Sequence, residues 1–370
     1  MSNTMFKDIY TDESISDLAS RFQEYYTEFK MDKFVENASR NLDELEMKER
    51  INQIANAISD FLPQSYPRAL KIVLRAMRAD AELGFSEIRG FLVWPLCQFV
   101  ENKGIDDFHI SLDALYEMTK YFTSEVPIRA FVIKDTEEVL KRMQVWVNDE
   151  DVNVRRLVSE GLRPRLPWAQ RLPMFMESPG PVIDLLEKLK DDPELYVRRS
   201  VANCLNDISK DNPDIVIDTV TAWSKDVSKE MNQLIRHGCR TLIKQGHPRI
   251  FPLLGFSKDP NVRVEGFTTS SDSVALGEDA VVKASLISDS DKDQKIVVDY
   301  KLYHVKANGK LTPKVYKWTT VELPAKGEVS LKKVHKFRSV TVRKYYAGDH
   351  FFEVLINGEA KKKLKFELTI

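Results

Sequence analysis

Between residues 154 and 168 the chain reads VRRLVSEGLRPRLPW, a single carboxylate among four guanidinium groups. On a helical wheel turning about 100° per residue, Val154, Leu157, Val158 and Gly161 fall on one side. Arg156, Glu160 and Arg163 fall on the opposite side, four and three residues apart and therefore stacked, with Arg155 and Ser159 flanking them. Asp149 or Asp151 can cap such a helix, and Pro164 ends it. The turn that follows carries Arg165 and Trp168. One carboxylate thus sits between guanidinium groups on a polar face, followed at once by a sharp turn. The same pattern suits a solvated helix face, with Glu160 pairing Arg156 and Arg163 at roughly 0.2–0.5 kcal/mol per pair.

The elements that must position this stripe are helices. Glycine is sparse up to about residue 255, and apolar residues recur at threes and fours, as in Leu18, Phe22, Tyr25, Tyr26 and Phe29. A β-branched residue followed by arginine recurs at Ile88-Arg89, Ile128-Arg129, Val154-Arg155, Val197-Arg198 and Ile235-Arg236. The intervals are 40, 26, 43 and 38 residues, mostly near the period of HEAT-type helical repeats, which stack into a curved solenoid. In the register of the third repeat, Arg156, Glu160 and Arg163 correspond to Arg199, Asn203 and Asn206, and then to His237, Thr241 and Lys244, with Arg240 alongside. Each helix is thus expected to present cations and hydrogen-bonding groups on one side, suited to phosphate and sugar contacts.

Near residue 256 the period changes to two. In the last stretch Leu364, Phe366, Leu368 and Ile370 face one way, and Lys363, Lys365 and Glu367 the other. Asn308-Gly309 and Asn357-Gly358 are hairpin signals. About seven strands are expected in an immunoglobulin-like sandwich that lacks the Cys–Trp–Cys core of antibody domains. The run Lys361-Lys362-Lys363 needs no ligand, because lysines protect edge strands from aggregation. The reading is an α + β chain: helical repeats over 1–258, then an all-β immunoglobulin-like sandwich over 259–370.

A net charge of −1 hides a gradient. Residues 1–150 carry 18 basic and 27 acidic side chains, residues 151–270 carry 18 and 16, and residues 271–370 carry 19 and 13. Any polyanion is expected on the C-terminal sixty per cent. No apolar run reaches membrane-span length, and the N-terminus lacks a signal-peptide core, so a cytoplasmic protein is expected. Cys97, Cys204 and Cys239 have neither zinc nor disulfide spacing and are expected as buried free thiols. No metal-ligand cluster and no glycine-rich phosphate loop is present, so neither metal nor cofactor is expected.

At residues 154–168, and again at SVANCLNDISKD (200–211), the sequence resembles the AlkC/AlkD family of DNA alkylation repair glycosylases. Further matching pieces are Thr123-Ser124-Glu125-Val126-Pro127-Ile128-Arg129 and the stretch from Ile235-Arg236-His237 to Gly246-His247-Pro248. The segment RKYYAGDH (343–350) in the sandwich looks like the AlkC branch, which can carry an Ig-like domain. After Glu125 the family tends toward Arg-Pro-Phe, and this chain has Arg129-Ala130-Phe131 instead.

The resemblance implies a monofunctional DNA-3-methyladenine glycosylase of base excision repair. It would excise cationic N-methylated bases, above all 3-methyladenine with 3-methylcytosine, from alkylated double-stranded DNA without flipping the base. It implies Glu160 and Glu125 as catalytic carboxylates, with Arg156, Arg163, Trp168, Asn203 and Asp207 as neighbouring contacts. Arg165, Arg199, Arg236, Arg240 and Lys244 are further expected DNA contacts, as are Arg343, Lys344, Tyr345, Tyr346 and His350 of the sandwich. A monomer associated with the nucleoid is expected. Plainer roles stand beside these: Glu125 as a first-turn carboxylate favoured by the helix dipole, Trp168 as packing, Asp207 as a partner of Lys210, one tyrosine of 345–346 as core. The competing function is a non-catalytic HEAT scaffold that binds DNA or a protein.

Overall fold

The computed structural model describes residues 6–225, 228–338 and 344–370. A helical region, with sixteen α-helices among the described residues, runs from Asp12 to Leu253, and eight strands follow from Val262. By compactness the chain divides into Met1–Asn212 and Pro213–Ile370, so the second unit takes the last four helices together with the strands.

In the first unit the helices pack as neighbours along the chain. The Val152–Gly161 helix contacts the Thr136–Trp146, Gly180–Leu189 and Leu195–Ile208 helices. Its apolar side is fully committed, since Val154, Leu157, Val158 and Gly161 are all buried. Asp151 caps it by accepting from the Asn153 amide at 2.7 Å. Gly161 permits a close approach: a Cβ there would stand 3.0 Å from Ile128 Cγ2 of the Ile128–Lys134 helix.

Two of the repeated arginines do one job. Arg155 Nη1 donates to the carbonyls of Asp149 and Glu150, and Arg198 Nη1 donates to those of Asp192 and Pro193. Each therefore folds back over its helix onto carbonyls five and six residues earlier. Arg155 also pairs with Asp192 at 2.7 Å, which ties one repeat to the next. Arg129 differs, reaching forward to Gly161 O and Gln170 O at 2.9 and 2.6 Å.

The second unit holds a two-sheet sandwich built from β1 (Val262–Thr269), β2 (Ser273–Ala275), β3 (Asp279–Ser288), β4 (Gln294–Val305), β5 (Leu311–Leu323), β6 (Glu328–Lys336), β7 (Gly348–Ile356) and β8 (Glu359–Thr369). One sheet has the order β1-β3-β6 and the other β2-β8-β7-β4-β5. The strand number is eight because the three-residue β2, too short to show a period in sequence, adds in parallel to β8. Val282, Ala284, Leu286, Val298, Tyr300, Leu302, Phe352, Phe366 and Leu368 fill the core between the sheets. β2 covers only Glu367–Thr369 of β8, so among the described residues no strand pairs with the lysine run at 361–363 on that side. The cysteines are buried free thiols, and burial pushes those of Cys97 and Cys239 up to about 12.

One contact inside the second unit leaves no room. Gly246 ends the Arg240–Gln245 helix at φ +75°, and Gly358 forms the β7–β8 turn at φ +79°; a Cβ on Gly246 would lie 2.5 Å from Gly358 O. A Cβ on Gly358 would lie 1.9 Å from Gly246 Cα. Gly358→Ala combines backbone overlap with an unfavourable φ, and costs about 2 kcal/mol or more. Equilibrium denaturation of the full chain measures this, and an unchanged midpoint would mean that the two turns do not touch.

Candidate active site

The polar stripe of the Val152–Gly161 helix is buried. Glu160 is 4% exposed and Arg163 7%, so the solvated-face reading fails on burial. The reason lies about forty residues further on, in the Leu195–Ile208 helix, which lays Ser200 and Asp207 against the stripe.

Glu160 is held at both oxygens. Arg163 Nη1 donates to Oε1 at 2.5 Å, and Ser200 Oγ donates to Oε2 at 2.6 Å. Ser159 donates in turn to Ser200 at 2.6 Å, so a hydroxyl pair backs the carboxylate. Arg163 Nε donates to Asp207 Oδ2 at 2.7 Å, and Lys210 Nζ to Asp207 Oδ1 at 2.8 Å. Asp207 thus serves both Lys210 and the buried arginine. Burial opposes the charge of Arg163, but Glu160 and Asp207 more than offset it and hold its pKa above the ordinary value.

Arg156 joins the second carboxylate to this cluster. Its Nη1 lies 2.7 Å from Glu125 Oε2, its Nη2 lies 3.7 Å from Glu160 Oε1, and its guanidinium sits 4.7 Å above the Tyr196 ring. Burial works against its charge, and Glu125 and Glu160 together still raise its pKa. Thr123 Oγ1 also donates to Glu125 Oε2, at 2.9 Å. Glu125 precedes the Ile128–Lys134 helix by three residues, inside the turn that the Ile128 amide closes on Ser124 O at 3.0 Å. The Ala130 departure leaves that helix continuous.

Trp168 is not packing. It is 73% exposed and held at φ +62°, a backbone region that a bulky residue occupies at a cost of roughly 1–3 kcal/mol. The turn that carries it is closed by the Leu172 amide on Pro164 O at 3.1 Å, by Arg129 on Gln170 O, and by Lys48 Nζ on Trp168 O. Backbone strain of this size persists only where the surrounding structure fixes it.

The remaining expected contacts divide by exposure. Arg199 is exposed, Asn203 half-buried, and Arg165 lies in a bidentate pair with Asp211 at 2.8 and 2.6 Å. In the second unit Arg236 and Lys244 are exposed, and Arg240 is half-buried, donating to His237 O at 2.7 Å. Lys344 is exposed with its ammonium 5.7 Å from the Tyr346 ring, while Tyr345 packs toward the sandwich core against Phe337. Arg343 lies outside the described residues.

Two expectations need correction. His350 is 0% exposed, its Nε2 accepting from the Val305 amide, so no atom of it faces a ligand. Arg163 is 7% exposed, with Nε on Asp207 and Nη1 on Glu160, so it faces into the protein and not outward toward a phosphate. Sequence reasoning missed Ser200, Thr123, Tyr196 and Arg129. For Ser200 a signal existed: in the repeat register it stands where Leu157 stands, a hydroxyl on an apolar side.

With this geometry in place, likeness to known proteins becomes informative. Residues 123–242 match the family described as DNA alkylation repair enzyme, and residues 263–370 match the C-terminal Ig-like domain of YhaZ. The protein YhaZ of Bacillus subtilis is 34% identical over 363 residues, covering 98% of this chain and 99% of that one. The chain belongs to the AlkC branch of the DNA alkylation repair family. A solved relative, the alkylpurine DNA glycosylase AlkC of Pseudomonas fluorescens bound to DNA containing an abasic site analogue, superposes with a TM-score of 0.88 at 33% identity. That match covers 99% of this chain and 100% of the other. Among the described residues no helix is long and apolar enough to cross a membrane.

Arg163→Ala would strand Glu160 and Asp207 as buried charges without their common partner, at a cost of about 3–5 kcal/mol. Denaturant titration reads this directly, and a loss below about 1 kcal/mol would assign the pair to an exposed class.

Proposed function

We propose that the chain is a monofunctional DNA glycosylase that excises cationic N-methylated bases, 3-methyladenine and 3-methylcytosine, from alkylated duplex DNA without flipping them. The observation that carries this reading is the pairing of two carboxylates, Glu160 and Glu125, through Arg156, with an exposed and strained Trp168 on the turn that follows the Glu160 helix. The solved AlkC relative, itself bound to DNA with an abasic site analogue, supports it. A scaffold that only coats phosphates gains nothing from carboxylates set among its arginines.

An N-methylated base with a formal positive charge is already a good leaving group and needs no general acid. When the bond from sugar C1′ to the base nitrogen breaks, its electron pair returns to the base and neutralises it. Positive charge moves to the sugar, where a carboxylate stabilises the oxocarbenium-like centre. Water then adds to C1′ and gives up one proton, for which Glu125 and Glu160 are the acceptors at hand. At an effective dielectric near 20, unit charges about 4 Å apart attract by roughly 4 kcal/mol. If about 2–3 kcal/mol of that is specific to the transition state, the gain is on the order of a hundredfold.

Arg163, Ser200 and Asp207 act by positioning, since they fix Glu160 rather than meet the DNA. Trp168 offers its ring to a sugar face or a displaced base. Phosphates fall to the exposed or half-exposed cations: Arg165 and Arg199, with Asn203, in the first unit, and Arg236, Arg240, Lys244 and Lys344, with Tyr346, in the second. Helical residues 1–258 would then carry catalysis and most of the DNA contact, and 259–370 a further grip, in a monomer working on cytoplasmic nucleoid DNA.

Glu160→Gln is expected to release methylated bases from alkylated DNA at least tenfold more slowly with DNA affinity retained. Chromatography of the freed bases measures this, and an unchanged rate would remove Glu160 from the reaction. Arg199→Ala should lower the slope of log affinity against log salt by about one unit, as each phosphate contact contributes nearly that much. Equal slopes for wild type and variant would mean that Arg199 touches no phosphate.

A further inference from the structure

Tyr196 stands at the edge of the carboxylate cluster, and none of the roles above uses it. It is the second residue of the Leu195–Ile208 helix. Ser200, Asn203 and Asp207 follow it at four, seven and eleven residues, the spacing of one helix face. Ser200 and Asp207 on that face hold Glu160 and Arg163. The face that fixes Glu160 therefore also carries an aromatic ring, one turn nearer the helix start.

That ring is not packed away. Tyr196 is 46% exposed, and the Arg156 guanidinium lies over its face at 4.7 Å. Arg156 in turn lies 2.7 Å from Glu125 Oε2 and 3.7 Å from Glu160 Oε1, so one cation links the ring to both carboxylates. The Glu160 side chain is 6% exposed and that of Glu125 20%, so the cluster is most open at Glu125 and at the ring. A guanidinium donates only in its own plane. A ring over one face leaves those donors to Glu125, Glu160 and the Thr123 hydroxyl at 3.3 Å, and it opposes a swing of the side chain out of the cluster. An arriving phosphate invites that swing, since arginine pairs with phosphate as well as with carboxylate. Arg156 lost to a phosphate would leave both carboxylates without their common cation, and such groups are effective because their orientation is set before the reaction. Burial, together with Glu125 and Glu160, raises the pKa of the phenol against the opposing pull of Arg156, so at neutral pH the hydroxyl keeps its proton and can donate.

We propose that Tyr196 has two separable tasks: its ring keeps Arg156 between Glu125 and Glu160 when DNA arrives, and its hydroxyl donates to a backbone oxygen of the strand that carries the lesion. The inference deepens the glycosylase reading and rests on it for the DNA, but the contact of ring and guanidinium is measured without DNA. Full-length Tyr196→Phe and Tyr196→Leu separate the tasks, and the exposure of the residue leaves the core of both variants intact. Protons above a ring face are shielded by its ring current. The guanidinium protons of Arg156 should therefore resonate alike in wild type and Tyr196→Phe, and move downfield in Tyr196→Leu. Single-turnover release of methylated bases at saturating protein should fall about tenfold in Tyr196→Leu and hold the wild-type rate in Tyr196→Phe. Affinity for alkylated duplex should fall about fivefold in Tyr196→Phe, through the lost hydroxyl alone. An unmoved arginine resonance, a wild-type rate in Tyr196→Leu, or equal losses of rate in both variants overturns the task of the ring. Wild-type affinity in Tyr196→Phe overturns that of the hydroxyl. The downfield shift in Tyr196→Leu, with no base released by wild type, would uphold the hold on Arg156 and sink the glycosylase reading alone.

Discussion

A carboxylate with almost no access to solvent is the constraint on which the first unit depends. Glu160 gives up its hydration, and only charge-assisted hydrogen bonds of good geometry offset that loss. Arg163 supplies one, Ser200 another, and Arg163 is itself neutralised by Asp207. Ser200 and Asp207 on one helix must therefore be in register with Glu160 on another and with Arg163 just past its end. The register depends on ordinary packing: Val154, Leu157 and Val158 against the interior, and Gly161 against Ile128. With Glu125, Glu160 and Asp207 facing Arg156, Arg163 and Lys210, charges balance inside the cluster. A developing cation outside it would meet carboxylates whose orientation is already fixed, so little reorganisation is left for the moment of reaction.

The repeated arginines explain how two helices forty-three residues apart hold the same attitude. Arg155 and Arg198 each clamp the loop that leads into their own helix, and Asp192 passes the connection from one repeat to the other. Where the interval falls to 26 residues the arginine has another task. Arg129 does not bind the loop before it. It reaches forward to the end of the Val152–Gly161 helix and to the Trp168 turn, so where the period breaks the arginine ties its helix to the next one and to that turn.

Much of this was legible in the sequence. The stripe, its Asp151 cap, its end shortly before Pro164, the change to period-two strands and the turn at Asn357-Gly358 follow from local rules of spacing and backbone preference. Burial of the stripe was not legible, because the partners that bury it come from forty to forty-seven residues away and helical periodicity says nothing about which faces meet. His350 illustrates the same limit within the sandwich: a histidine after a glycine turn reads as exposed, yet the inward side of β7 claims it. The division between Asn212 and Pro213 also leaves no local trace, since apolar residues keep their helical spacing on both sides of it.

Trp168 is where the two kinds of information meet. Nothing in its neighbourhood rewards its position by burial, and its backbone stands in a region that side chains with a Cβ avoid. Arg129 and Lys48 grip the turn through the carbonyls of Gln170 and Trp168. Strain of this kind persists only where the surroundings over-determine it, and in the proposed reaction it holds an exposed ring ready for a sugar or a base.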